Sequence, residues 1–144
     1  MTENGVSDQD GPEINLADSH RVEFYQNYIG QMLRAINEDD VDVRMYTAWS
    51  LMDNFEWARG YSERFGLHWV DYTDPERTRY RKDSSYCIEQ IARQNSVPAS
   101  NSTEYKNCGK EMPSYPGVSD NDTDDDVRYQ YRLKLITFIF RMTV

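Results

Sequence analysis

The chain has 144 residues, 38% of them hydrophobic, and a formal net charge of −9, which is enough length for one ordinary domain with a sizeable core. The charge argues against nucleic-acid binding, because phosphate contacts need clustered Lys and Arg and no basic stripe stands in the sequence. Cys87 and Cys108 are too few for a disulfide framework, and His20 and His68 lie far apart, so no zinc-like spacing exists and no metal or other cofactor is expected.

After Met1-Thr2-Glu3-Asn4-Gly5, the stretch VSDQDGPEINLAD is rich in turn formers and reads as a loop. Asp18 or Ser19 is then suited to cap a helix, since a short side-chain oxygen satisfies amides left free in a first turn. Val22, Tyr25, Ile29, Met32 and Ile36 recur at helical spacing and predict a helix to about Asn37, its apolar face laid on a sheet. Alternating Val41, Val43 and Met45 predict a strand. A strand end near Glu3, a helix and a second strand make half of a βαβ repeat, whose two strands are parallel because the crossover is long.

The run from Met45 to Tyr72 holds all three tryptophans, with Asp53, Glu56, Arg59, Glu63 and Arg64 among Trp49, Phe55, Trp57, Tyr61 and Phe65. That mixture suits sugar recognition, because the C–H face of a pyranose stacks on an indole while carboxylates and indole N–H groups take its hydroxyls. Core packing of the same rings is the alternative. Further on, Asp83 or Ser84 is suited to cap a second helix through Ile88, Ile91 and Ala92, which Pro98 keeps from continuing. From Val97 the composition turns to Ser, Asn, Pro, Gly and Asp and reads as disordered. Asn101-Ser102-Thr103 and Asn121-Asp122-Thr123 are glycosylation sequons, pointing to a secretory route. The closing LKLITFIFRMTV is interrupted by Lys134 and Arg141 and is shorter than the roughly 20 apolar residues of a membrane helix, so no anchor is expected. An edge strand, an aggregation-prone tail or an aberrant transcript end remain open for it.

The stretch AWSLMDNFEWARGYSERFGLHWVDY resembles the signature of glycoside hydrolase family 1, the β-glucosidases and their relatives, in which a run close to AWSLLDNFEWxxGYxxRFGLxxVDY closes the eighth strand of a (β/α)8 barrel. Thr2-Glu3-Asn4-Gly5 resembles the TENG motif that carries the family's catalytic nucleophile at the end of the seventh strand. Arg77, Lys82, Asp83 and Ser84 in DPERTRYRKDSS extend the resemblance to roughly residues 1 to 95. The implied fold class is α/β: the C-terminal portion, about the last two βα units, of a TIM barrel over residues 1–97, followed by a low-complexity tail over 98–144. Because a whole barrel takes about 250 residues, the true N-terminus is expected to be missing, or Met1 to be an internal methionine at which a gene model starts.

The resemblance implies a retaining β-glycosidase acting on β-D-glucosides or related β-glycosides, in a secreted or lysosomal setting. Glu3 would be the nucleophile, Trp49 the stacking platform for the non-reducing sugar, Glu56 the acceptor for its O4 and O6 hydroxyls, Trp57 the donor to O3, and Phe65 an aromatic closing the pocket. A salt bridge of Glu56 to Arg59 or Arg64, and packing of Phe65 on the strand, are the alternatives. All four polar and indole groups are expected to converge at one end of the two parallel strands. The family's acid/base lies in an Asn-Glu-Pro motif that does not occur here, so the chain alone is expected to be inactive. The rival reading is a non-catalytic carbohydrate-binding or interaction protein of the same family. Two positions depart from the pattern: Met45 stands where Gly is common, adding bulk inside a barrel strand, and Cys87 stands where an aromatic is usual.

Overall fold

The computed structural model describes residues 3–8, 14–110 and 137–140. Among these residues, helices α1 (Ser19–Glu38) and α2 (Asp83–Gln94) accompany strands β1 (Met45–Ala48), β2 (His68–Val70), β3 (Arg79–Arg81) and β4 (Thr137–Phe140), with a 3-10 turn at Trp57–Arg59 and a short α3 at Thr103–Lys106. The apolar stripe of α1 is buried as its spacing requires: Val22, Tyr25, Ile29 and Met32 pack with Tyr46 and Ala48 of β1, Leu67, and Cys87, Ile88 and Ile91 of α2, while Ile36 lies at the margin. This is a helix-on-sheet layer in which each element hides the face the other leaves apolar.

The parallel relationship expected between the Glu3 segment and β1 is present. The Asn4 amide donates to the Thr47 carbonyl at 3.0 Å, and the Asn4 carbonyl accepts from the Trp49 amide at 2.7 Å, a parallel bridge opposite Ala48. Gly5 follows at the closest point of the two backbones, where a Cβ would stand 1.9 Å from the Trp49 carbonyl oxygen. Only glycine fits such an approach. On β1's other edge lies β4, parallel and in register from Met45↔Thr137 to Ala48↔Phe140. β2 and β3 form a separate antiparallel pair centred on Trp69↔Tyr80. No closed barrel forms among the described residues.

Several local expectations need correction. β1 begins at Met45, not Val41, and Met45 is 40% exposed, so its bulk meets no packed interior. Asp18 occupies the N-cap of α1, but its side chain caps none of that helix's first-turn amides. Its carboxylate accepts instead from the Ser84 amide at 2.9 Å and the Ser84 hydroxyl at 2.6 Å, in the first turn of α2, whose own N-cap Lys82 offers no acceptor. One acid thus caps a helix 66 residues away.

α2 stops at Asn95, which takes the left-handed conformation at φ 49°, one of the few non-glycine residues that tolerate it. Residues 98–110 do not follow the expectation of a disordered tail. Ser102 caps α3 by accepting from the Tyr105 amide at 3.0 Å, Gln26 of α1 donates to the Tyr105 carbonyl at 2.9 Å, and Cys108 is joined to Cys87 by a disulfide. Asn121 lies outside the described residues.

Candidate functional site

The segment from Trp49 to Val70 folds back on itself so that residues 50–53 run beside residues 65–68. The Ser50 amide donates to the Phe65 carbonyl at 3.1 Å, Leu67 to Ser50 at 2.8 Å, His68 to Leu51 at 3.0 Å and Asp53 to His68 at 3.0 Å. Gly66 sits inside this zipper, where a Cβ would stand 2.2 Å from the Asp53 amide nitrogen. Asp53 is its hub: its buried carboxylate accepts from the Gly66 amide at 2.9 Å, the Val70 amide at 3.3 Å and the Arg64 guanidinium at 2.6 Å. The Trp49–Ser50 peptide at the entrance is cis.

Behind the loop lies a buried ionic cluster. Asp8 is held by Arg21 and by Lys82, whose Nζ is 2.9 Å from Asp8 Oδ2 and 3.6 Å from Asp53 Oδ1. Arg21 also pairs with Asp18. Three carboxylates and three cations, counting Arg64, therefore cancel in charge, which is the condition for burying them. Burial alone pushes the Asp8 carboxyl up, but the Arg21 and Lys82 charges outweigh it and hold the group below the ordinary carboxylate range. Of this cluster the sequence pattern singled out Lys82 and the Asp53–Arg64 loop. Asp8 and Arg21 carry no motif of their own, Asp18 reads locally as no more than a helix cap, and only the topology brings them together.

At the mouth of the loop, Glu56 is 9% exposed and accepts from the Trp49 indole N–H at 3.1 Å. The alternative of a salt bridge to Arg59 or Arg64 is not seen among the described residues: Arg64 is engaged by Asp53 and Arg59 by Glu63 at 3.4 Å. Trp49 is half-buried, its carbonyl accepting from the Tyr25 hydroxyl at 3.0 Å. Tyr25 reaches out of the core, where burial drives its phenol far above the ordinary tyrosine range. Tyr46 donates from the core to the Asn4 side chain, so both strand ends are tied to buried phenols.

The exposed Glu3 immediately precedes Asn4 and thus enters beside Thr47 and Trp49. Trp57 is 87% exposed with a left-handed φ of 45°, and Phe65 is half-buried. The structure therefore brings the Glu3 segment, Trp49 and Glu56 together at the ends of the two parallel segments. Trp57 follows Glu56 directly in the chain. Beside them, Phe55 packs edge-on against Tyr61, and Tyr61 meets the Tyr72 ring at a tilt. Burial and the neighbouring Asp53 carboxylate push the Tyr72 phenol up to about 12.

The model of Glycosyl hydrolase family 1 matches residues 1–97. Among curated proteins, the chain is 47% identical over 98 residues to lactase/phlorizin hydrolase of Homo sapiens, covering 68% of this chain and 5% of that protein. It is 49% identical over 88 residues to beta-glucosidase 6 of Oryza sativa subsp. japonica, covering 58% of this chain and 17% of that one. Among solved structures, a family 1 glycoside hydrolase of Thermotoga maritima, complexed with a cyclophellitol analogue transition state mimic, superposes with a TM-score of 0.61 at 39% identity, over 68% of this chain and 22% of that one. The chain thus spans less than a quarter of the length of these relatives, and its match includes both the Glu3 segment and the tryptophan loop. On that match it belongs to glycosyl hydrolase family 1.

Proposed function

We propose that residues 1–97 form the last two βα units of a (β/α)8 barrel and carry the nucleophile and the glycone-reading half of a retaining β-glycosidase site. Glu3 is the nucleophile, Trp49 the platform under the sugar ring, Glu56 the acceptor for its O4 and O6 hydroxyls, Trp57 the donor to O3, and Phe65 the aromatic wall. The observation that carries this reading is the state of Glu56: a buried carboxylate bonded to an indole N–H and, among the described residues, to no cation. A buried carboxylate is costly unless donors approach it, and the paired hydroxyls of a β-glucoside are donors of the right kind.

A retaining enzyme needs a second carboxyl about 5 to 5.5 Å from the nucleophile, to protonate the leaving oxygen and then activate water. The Asn-Glu-Pro motif that carries it in this family is missing from the sequence, so the chain by itself binds a β-glycoside without turning it over. The rival function is a carbohydrate-binding protein that has given up turnover. Both readings predict glycone binding. They part at Glu3, which only the catalytic lineage requires. The Cys87–Cys108 disulfide and the exposed Asn101 in its sequon favour an oxidising, secretory setting with Asn101 glycosylated.

The purified chain, titrated with a nitrophenyl β-glucoside, should shift the indole N–H resonances of Trp49 and Trp57, and should release no glucose from cellobiose. Indole resonances that do not move would overturn the glycone site. Cellobiose turnover abolished by Glu3→Gln would overturn the assignment of inactivity.

A further inference from the structure

The segment 137–140 lies 40 residues beyond the end of the family match, yet it pairs with the strand that leads into the sugar-binding loop. Asn4 takes the Thr47 carbonyl and the Trp49 amide on one edge of β1. Successive residues of a strand present their backbone groups to opposite edges, so the amides and carbonyls of Tyr46 and Ala48 face the other side, where β4 runs in parallel register. In a closed barrel no strand has a free edge, and the last strand must find a neighbour on each side. Here the second neighbour comes from sequence that belongs to no part of the matched barrel.

We propose that β4 is an in-cis edge plug: a C-terminal strand that occupies the pairing edge of β1 in place of a neighbouring barrel strand and keeps that edge from recruiting a strand of another molecule. The sequence around it suits the role. LITFIF is β-favouring, and it is flanked by Lys134 and Arg141, charges of the kind that discourage a strand from pairing outward. Parallel pairing also demands a long connection between the two strands, and residues 49–136 supply it. The unplugged alternative is a row of open N–H and C=O groups on an apolar strand, which is a template for association.

Two measurements test this on the full chain. Nuclear Overhauser contacts between backbone protons of residues 45–48 and 137–140 are expected in a species with the mass of one chain. Their absence, or their appearance only between differently labelled copies in a mixed sample, would overturn the plug. In the second, Phe138→Pro and Ile139→Pro are introduced together, so that β4 loses a ladder donor whichever residue faces β1. Amide exchange at Tyr46 and Ala48 is then expected to accelerate at least ten-fold while the Trp49 amide, held by Asn4, keeps its protection, and the variant is expected to self-associate as concentration rises. Unchanged exchange at Tyr46 and Ala48 in this variant sinks the proposal.

Discussion

Lys82 Nζ stands 2.9 Å from Asp8 Oδ2 with both side chains fully buried, joining the loop that follows Glu3 to the residue that opens α2. The same ammonium lies 3.6 Å from Asp53, the hub of the tryptophan loop. Lys82 thus ties the Asp8 segment and the tryptophan loop to the start of α2.

Removing it leaves two carboxylates facing each other with less compensation. Breaking one partner out of a buried ion cluster costs about 3 to 5 kcal/mol, so Lys82→Met should lower unfolding stability by that order in a urea titration. Arg34→Ala, which breaks the exposed Arg34–Glu38 pair on α1, should leave the midpoint where it was. A tolerated Lys82→Met would show that the cluster only fills space.

The same cluster sets the acid limit. The Asp8 carboxyl is held below its ordinary value in the folded chain, so its contribution to stability is full above the unfolded value of about 3.9 and is lost as pH falls through the lower folded value. At the alkaline end the sign reverses for Tyr25 and Tyr46, whose phenols are raised chiefly by burial. Their contribution is full below the unfolded value of about 10 and declines above it, because the unfolded chain ionises first. Thermal midpoints across pH should form a plateau bounded by these two limits, and the Tyr25→Phe variant should soften only the alkaline edge.

Reduction of Cys87–Cys108 should loosen one end of the molecule and spare the other. Closing the intervening loop, with a sequence separation of 21, is worth about 2 to 4 kcal/mol. In the Cys108→Ser variant the amides of α3 should lose protection from exchange, while that of Trp49 should not. Equal losses at both ends would mean that α3 is needed by the whole fold.

Changing Glu56 should weaken glycone binding without unfolding the loop, since Asp53 and not Glu56 organises it. Charge-assisted hydrogen bonds to sugar hydroxyls are worth roughly 1.5 to 3 kcal/mol each, so Glu56→Ala should raise the dissociation constant for a β-glucoside by about ten- to hundred-fold. Asp53→Ala should instead collapse the loop, visible as lost dispersion of the Trp49 and Trp69 indole signals.

How much of this was legible in the sequence differs from residue to residue. The α1 stripe from Val22 to Met32 could be read because one periodicity encodes one buried face. Glu56 could be singled out because an ordered run of twenty-odd residues fixes its neighbours. Asp18 could not be read correctly: a short acid before a helix is a cap by local rules, and only the docking of α2 turns its carboxylate toward Ser84. Cys87 was legible as a departure but not as half of a bridge, because its partner lies in a stretch whose composition resembles a disordered tail. β4 was one of several open readings, since an apolar run of that length carries no sign of which edge it will meet.

Among the described residues Glu56 bonds an indole and no cation, while the buried Arg21, Arg64 and Lys82 are each matched by a carboxylate. In the proposed site, a ring bearing a carboxylate or phosphate at its sixth carbon would bring a second negative charge against Glu56, with the buried cations of the described residues already paired. Desolvating two like charges together is the most unfavourable way to fill such a pocket. If Glu56 reads the glycone as proposed, the wiring of the loop is expected to discriminate by charge before hydroxyl geometry, favouring uncharged hexoses over uronic acids and phosphorylated sugars.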